Sequence, residues 1–325
     1  RQLTIAHESW PIAGSFTISR GTKTSAEVVT VTLNEDGATG RGECVPYPRY
    51  NETVEAVMAA LEDARPVIEA GMTRHEIAAA IEPRAARNAL DCALWDLEAK
   101  MSATPVWQLA GLSAPVPTVT AYTLSLDTPD AMARAARDAS DRQLLKLKLG
   151  KDGDAERLRA IRAAAPSARL IIDANEGWHP EDLPSLFAVC AETGVELIEQ
   201  PLPADDDDAL RTIAHPVIVC ADESAHDRAG IPELIGKYDA INIKLDKTGG
   251  LTEMLATAEA AKQAGLGIMI GCMLATSLAM APAMIAAGYA DFVDLDGPLL
   301  LASDRDPGIT FDGSIMQPPP AALWG

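Results

Sequence analysis

The feature that most constrains this chain is a charged residue closing one short apolar run after another at nearly even spacing. Leu144-Leu145-Lys146-Leu147-Lys148 ends in lysine, Leu170-Ile171-Ile172 is followed by Asp173, Leu197-Ile198 by Glu199, Val217 to Ala221 by Asp222, and Ile241-Asn242-Ile243 by Lys244. These charges recur at about 25-residue intervals, the length of one strand-helix unit. The alternation within the Leu144 run is that of a β-strand, and its period of two sends Lys146 and Lys148 to the same face. Charges at the ends of successive parallel strands converge at one end of a barrel, where such barrels carry their reactive groups. Two ammonium groups side by side at the end of a buried strand are costly unless anionic groups meet them.

The remaining pattern fits an α/β fold, a (β/α)8 TIM-type barrel with an N-terminal α+β capping domain. Eight apolar runs are strand candidates: Val119 to Thr123, Leu144 to Lys148, Leu170 to Asp173, Glu196 to Glu199, Val217 to Ala221, Ala240 to Ile243, Gly267 to Ile270 and Phe292 to Leu295. Ala-rich helical stretches fill the gaps, as in Ala131 to Ala139, Ala155 to Ala165 and Leu251 to Gly265. Ahead of them, Phe16 to Glu43 reads as a β-meander, with hairpin-turn chemistry at Asn34-Glu35-Asp36-Gly37. Helical periodicity follows from Glu52 to Glu69 and from Pro83 to Leu97. We expect a capping domain over 1–113, the barrel over 114–301, and a segment, 302–325, that returns to the cap. At 325 residues and 48% apolar, the chain has enough material for both cores.

Composition narrows the partners. A net charge of −20 repels nucleic acid and anionic membrane surfaces. No apolar run approaches the roughly 20 residues of a membrane helix, and Arg1-Gln2-Leu3 lacks the apolar core of a secretion signal, so a cytoplasmic location is expected. The cysteines, Cys44, Cys92, Cys190, Cys220 and Cys272, form no C-x-x-C pair and suggest neither a disulfide framework nor a zinc site. Whether the chain forms a homo-oligomer is left open.

A single strand-terminal Asp is read as a loop cap, but Asp173, Glu199 and Asp222 on successive strands are three hard oxygen ligands suited to Mg²⁺. Lys148 and Lys244 end strands on opposite sides of the ring, the arrangement needed for a two-base proton transfer at a carbon beside a carboxylate. A divalent cation stabilises the dianionic enediolate that results. Lys146 is placed to meet a substrate carboxylate. Asp294-Leu295-Asp296-Gly297 offers a counter-charge for a substrate ammonium group, and the fork of Arg20 suits a distal carboxylate. Asn175 and Asp246, two residues beyond strand ends, are expected to support the ligands. The run Asp205 to Asp208 is expected to face solvent, and none of the five histidines ends a barrel strand.

With Arg20-Gly21, Gly42-Glu43-Cys44-Val45-Pro46, Lys146-Leu147-Lys148, Asp173-Ala174-Asn175, Glu199-Gln200-Pro201, Asp222-Glu223-Ser224, Lys244 with Lys247-Thr248-Gly249-Gly250, and Asp294-Leu295-Asp296-Gly297-Pro298, the chain resembles the enolase superfamily. Within it the sequence is most similar to the muconate-lactonizing subgroup and its dipeptide epimerases. Lysine bases beside Mg²⁺ are already known for this superfamily. The resemblance implies epimerisation of L-Ala-D/L-Glu dipeptides at the Glu α-carbon, with Lys148 serving the (R) and Lys244 the (S) configuration. It also implies Mg²⁺ on Asp173, Glu199 and Asp222, and a dipeptide held by Lys146, Arg20, Thr123, Cys272, Leu274, Asp294 and Asp296. The alternatives are a related lysine-pair enzyme, such as an epimerase of other dipeptides, N-succinylamino acid racemase, o-succinylbenzoate synthase or muconate cycloisomerase, and a non-catalytic metal-binding barrel. Asp294 and Asp296 discriminate, since the substrates of the three named enzymes carry no free ammonium.

Overall fold

The computed structural model describes residues 1–82, 84–150 and 152–325. Its first three strands, β1 (Gln2–Ile18), β2 (Gly21–Glu35) and β3 (Ala38–Cys44), form an antiparallel sheet. The expected meander therefore begins at Gln2, well before Phe16. Pro11 and Gly14 interrupt the alternation of β1, and its register against β2 slips between Pro11 and Phe16. The β2–β3 turn is the one expected, with Asp36 and Gly37 both in the left-handed region.

The helical run from Glu52 arrives in two pieces, α1 (Val54–Asp63), capped by the Thr53 side chain, and α2 (Arg65–Glu69), separated at Ala64 just before Arg65-Pro66. Helix α3 (Ala85–Ser102) follows, and the expected start at Pro83 lies outside the described residues. It lies so close to β3 that a Cβ on Gly42 would come within 2.0 Å of Ala89 O, and one on Gly40 within 2.2 Å of Ala93 O. Only glycine allows this approach.

Strands β4 (Tyr122–Leu124), β5 (Leu144–Lys148), β6 (Arg169–Asp173), β7 (Val195–Glu199), β8 (Ile218–Ala221), β9 (Ala240–Lys244), β10 (Gly267–Gly271) and β11 (Phe292–Asp294) pair in parallel in chain order. Bonds from Ala121 N to Val293 O (2.9 Å) and from Leu295 N to Thr120 Oγ1 (2.8 Å) bring the last strand back to the first. The run Val119 to Thr123 is split between two sheets. Thr118–Val119 pairs with Ile315–Met316 of a C-terminal hairpin, and the chain enters the barrel only after Thr120, whose amide still donates to Ser314 O.

Inside the ring, Ala121, Leu144, Ile171, Leu197, Cys220, Ala240 and Met269 make a dry floor. The alternate residues, such as Leu145, Leu147, Ile172 and Ile198, face outward and join the helices in the larger core. Those helices include α4 (Pro129–Asp138), α5 (Asp154–Ala164), α6 (Leu183–Glu192), α7 (Leu251–Gln263) and α8 (Ser277–Ile285).

Polar residues of α3 join the cap to the barrel. Asn88 Nδ2 donates to Asp246 Oδ1 (2.9 Å), and Asp91 takes the Thr252 amide (2.9 Å) at the start of α7. Asp96 takes the amides of Arg41 (2.8 Å) and Gly325 (2.7 Å), while buried Trp324 donates to Cys92 O (3.0 Å). Among the described residues no helix is long and apolar enough to cross a membrane, and all five cysteines are free thiols.

Candidate active site

Period-two parity places the site. Since Leu144, Ile171, Leu197, Cys220 and Ala240 form the floor, the inward positions one layer higher are Lys146, Asp173, Glu199, Asp222 and Asn242, with Lys148 and Lys244 at the rim. Asp294 and Asp296 follow from Phe292 by the same count. Gly271, the inward residue of β10, has no side chain to oppose Asn242, whose Oδ1 would stand 2.4 Å from a Cβ there.

The charges meet in opposite-sign contacts. Lys148 Nζ lies 2.6 Å from Asp173 Oδ2, Lys244 Nζ 2.7 Å from Asp222 Oδ2, and Lys146 Nζ 2.6 Å from both Glu199 Oε2 and Asp294 Oδ2. Carboxylate oxygens of Asp173, Glu199 and Asp222 all lie within 4.8 Å of one another, and all three residues are buried. That spread and that set of hard oxygen donors fit a Mg²⁺ ion. Burial and the neighbouring Asp173 charge push the Glu199 carboxyl up from its ordinary range. Burial acts against ionised Asp173 too, but Lys148 and Lys146 outweigh it and hold that carboxyl low. Burial likewise opposes the ammonium of Lys146 and of Lys244. Asp294 and Glu199 for the first, and Asp222 and Glu199 for the second, raise their proton affinity overall.

Above the triad a cavity of about 40 Å³ is lined by Thr123, Lys146, Lys148, Lys244, Cys272, Leu274, Asp294 and Asp296, together with Phe16, Met273, Gly297 and Leu300. Eight of the expected site residues thus surround one space. Asp294 Oδ1 is buried there without a hydrogen-bond partner, whereas Asp296 Oδ2 takes the Thr123 amide (2.6 Å). Burial and then the adjacent Asp294 charge raise the Asp296 carboxyl.

Arg20 stands outside this lining. Its guanidinium donates to Asn175 O (3.0 Å), Glu176 Oε2 (3.0 Å), Tyr47 Oη (2.9 Å) and Glu223 Oε1 (2.7 Å). Arg49 holds the same Glu176 through both oxygens (2.8 and 2.7 Å). The tip of the β1–β2 hairpin is fastened nearby, with Ser19 Oγ donating to Asn175 O (2.9 Å) and Leu126 N to Thr17 O (3.0 Å). Phe16 sits over Lys148, with Nζ 5.6 Å from the ring centroid.

Several contributors escaped the sequence reading. Buried Lys247 donates to Asp222 Oδ1 (2.6 Å), Asp222 O (2.6 Å) and Asn242 O (2.7 Å), and Asn242 Nδ2 donates to Glu199 Oε1 (2.6 Å). Asn242 was within reach of the parity argument, two residues before Lys244. Lys247 sits in the turn after β9, and nothing local in the sequence signals its inward course. Of the two expected supports, Asn175 donates its backbone amide to Asp173 Oδ1 (2.9 Å), whereas Asp246 takes Val45 N (2.9 Å) and Asn88 Nδ2 (2.9 Å) and so ties the cap to the barrel instead. The run Asp205 to Asp208 needs correcting. Asp205, Asp206 and Asp208 are exposed, but Asp207 is buried because Ser224, Tyr238 and Lys237 all donate to it. Asn175, Glu176 and Gln200 have left-handed φ of 46°, 64° and 37° just past the metal-facing strand ends, each costing about 1–3 kcal/mol.

Comparison with known proteins agrees with this geometry. Residues 1–111 match the mandelate racemase / muconate lactonizing enzyme N-terminal domain, and residues 130–321 the enolase C-terminal domain-like family. The chain is 46% identical to the L-Ala-D/L-Glu epimerase of Escherichia coli (strain K12), over 96% of this chain and 98% of that one. It is 41% identical to an N-acetyl-D-glutamate racemase from a Pseudoalteromonas species, over 92% and 95%. Among solved structures, an enolase family member from Agrobacterium tumefaciens with homology to dipeptide epimerases, with bound sodium and L-Ala-L-Glu and an ordered loop, superposes with a TM-score of 0.98. It is 54% identical, and 99% of each chain is covered. A dipeptide epimerase from Enterococcus faecalis V583 complexed with Mg and L-Leu-L-Tyr gives 0.92 at 29% identity, over 100% and 98%. Barrel, cap and sequence together show that the chain belongs to the mandelate racemase / muconate lactonizing group of the enolase superfamily and is one of its isomerases, a dipeptide epimerase.

Proposed function

We propose that the chain epimerises L-Ala-D/L-Glu at the Glu α-carbon by a two-base 1,1-proton transfer. The observation that carries this reading is the single cavity bounded by Lys148 and Lys244 and walled by Asp294, whose buried Oδ1 lacks a partner. Asp173, Glu199 and Asp222 would hold Mg²⁺, which when bound supplies positive charge opposite the negative charge that develops as the α-proton leaves. Lys244 takes the proton from the (S) face and Lys148 returns one to the other, with the roles reversed for the (R) substrate. Lys146 faces the substrate carboxylate, Asp294 and Asp296 hold the α-ammonium, and Thr123, Cys272 and Leu274 border the peptide. Arg20 meets the glutamate side chain once it exchanges Glu223 or Glu176 for the substrate carboxylate. Residues 1–113 serve as the cap over the barrel mouth.

The test is ¹H NMR of L-Ala-L-Glu with the protein and Mg²⁺ in D₂O. Loss of the Glu α-proton signal with growth of the L,D diastereomer is the expected result, and a persistent α-proton with folded, metal-supplied protein would sink the Glu-dipeptide assignment. The relative that racemises N-acetyl-D-glutamate supports a second reading, because an acylated glutamate keeps the distal carboxylate but has no ammonium for Asp294. Faster α-deuteration of N-acetyl-D-glutamate than of L-Ala-D-Glu would favour it.

A further inference from the structure

We propose that Asp207 is a positioning residue for the metal-binding carboxylates and acts through the side-chain amide of Gln200. The proposal rests on reading Asp173, Glu199 and Asp222 as a Mg²⁺ site. Gln200 is fully buried, directly follows Glu199, and bridges two strand ends: its Oε1 takes the backbone amides of Asp222 (2.8 Å) and Ser224 (3.1 Å). Its Nε2 faces Leu202 O (2.9 Å), Ser224 Oγ (2.8 Å) and Tyr238 Oη (2.9 Å). Both hydroxyls in turn contact Asp207 Oδ2, at 2.8 and 2.7 Å, and Lys237 Nζ contacts Asp207 Oδ1 at 2.6 Å.

Donor and acceptor counting gives this cluster a direction. An ionised carboxylate only accepts, so Ser224 and Tyr238 must both spend their protons on Asp207. Each hydroxyl then turns a lone pair toward Gln200, and only the NH₂ end of the amide can face them. That fixes the amide with its oxygen toward the Asp222 and Ser224 N–H groups; the flipped amide would set donor against donor there. Leu202 O and the two backbone N–H groups require this same orientation, and the charge of Asp207 brings both hydroxyls into agreement with it, which tightens the amide bridge from the end of β7, at Glu199, to Asp222 beyond the end of β8. The left-handed backbone of Gln200 persists because its side chain is held from both ends. Asp207 touches none of the three carboxylates of the triad.

The experiment is calorimetric titration with MgCl₂ of the wild type, Asp207→Asn, Tyr238→Phe, and a core truncation on α6, Val189→Ala, as a stability control. Asparagine keeps the shape of Asp207 but is neutral and can donate, so it frees the hydroxyls to turn their protons toward the Gln200 NH₂ group and loosens the bridge. We expect the Mg²⁺ Kd to rise about tenfold or more in Asp207→Asn and Tyr238→Phe. Their kcat should recover at saturating Mg²⁺, and Val189→Ala should match the wild type in Kd while melting earlier. A Kd within twofold of wild type in both network variants, with only the melting temperature lowered, would overturn the proposal. If Asp207→Asn fails to fold, Tyr238→Phe, which removes one hydroxyl, decides by the same criterion. A wild type that binds no Mg²⁺ would instead refute the metal reading itself.

Discussion

Lys148 and Lys244 sit at the rim, while Lys146 lies deeper between Glu199 and Asp294, a difference in depth that suits the proposed roles of two bases and a fixed charge. Replacing either rim lysine by alanine is expected to lower epimerisation by on the order of 10³-fold or more with the fold intact by circular dichroism. Retained turnover in either single variant would defeat the two-base scheme. Arg20→Ala should cost far more with L-Ala-Glu than with L-Ala-Leu, since only the former offers a partner for the guanidinium; equal losses in kcat/KM would remove Arg20 from specificity. The lysines and carboxylates were legible in the sequence because strand parity fixes their direction wherever the apolar floor is known. Asp207 was not legible: four aspartates in a row look alike, and the partners that bury one of them, Ser224 and Tyr238, come later in the chain.

Helix α3 shows what one element requires when it is covered on nearly every side. Asp91 on that helix is pushed up to about 6, because burial outweighs the hydrogen bonds from Thr252 that favour its ionised form. Unfolded, it titrates near 3.8. Between these values the native state keeps a proton that the unfolded chain has released, so this group favours folding at the acidic end and loses that contribution as pH rises toward 6. In Asp91→Asn nothing titrates at this position. The stability difference, wild type minus variant, should therefore fall as pH rises from about 4 to about 6 in urea unfolding series, and a flat difference would contradict the assignment. Seven of the eight barrel strands matched the sequence pattern closely, because each buried run is short and all but β10 end in or beside a charge. The first was misplaced by its shared edge with the C-terminal hairpin, and β1 was underread because Pro11 and Gly14 hide its alternation.

Across the whole molecule, the cap and barrel meet over a site where buried lysines and carboxylates pair with one another. Dialysis against a chelator should abolish epimerisation, and Mg²⁺ should restore it while raising the unfolding free energy in proportion to the logarithm of its concentration above Kd, by about 2.7 kcal/mol at a hundredfold excess, with Tm rising accordingly. Activity that survives chelation would reject the metal requirement.

Phe16 of the β1–β2 hairpin borders the cavity beside the lysines, and that hairpin is fastened to the barrel at Thr17, Ser19 and Arg20. If a substrate enters past this hairpin, those fastenings must yield and re-form in each turnover, and traffic through that doorway would then set a ceiling on speed that faster proton transfer could not lift. On that account turnover of the best substrate should slow in step with solvent viscosity, while a poor substrate, limited by its chemistry, should be indifferent to added sucrose.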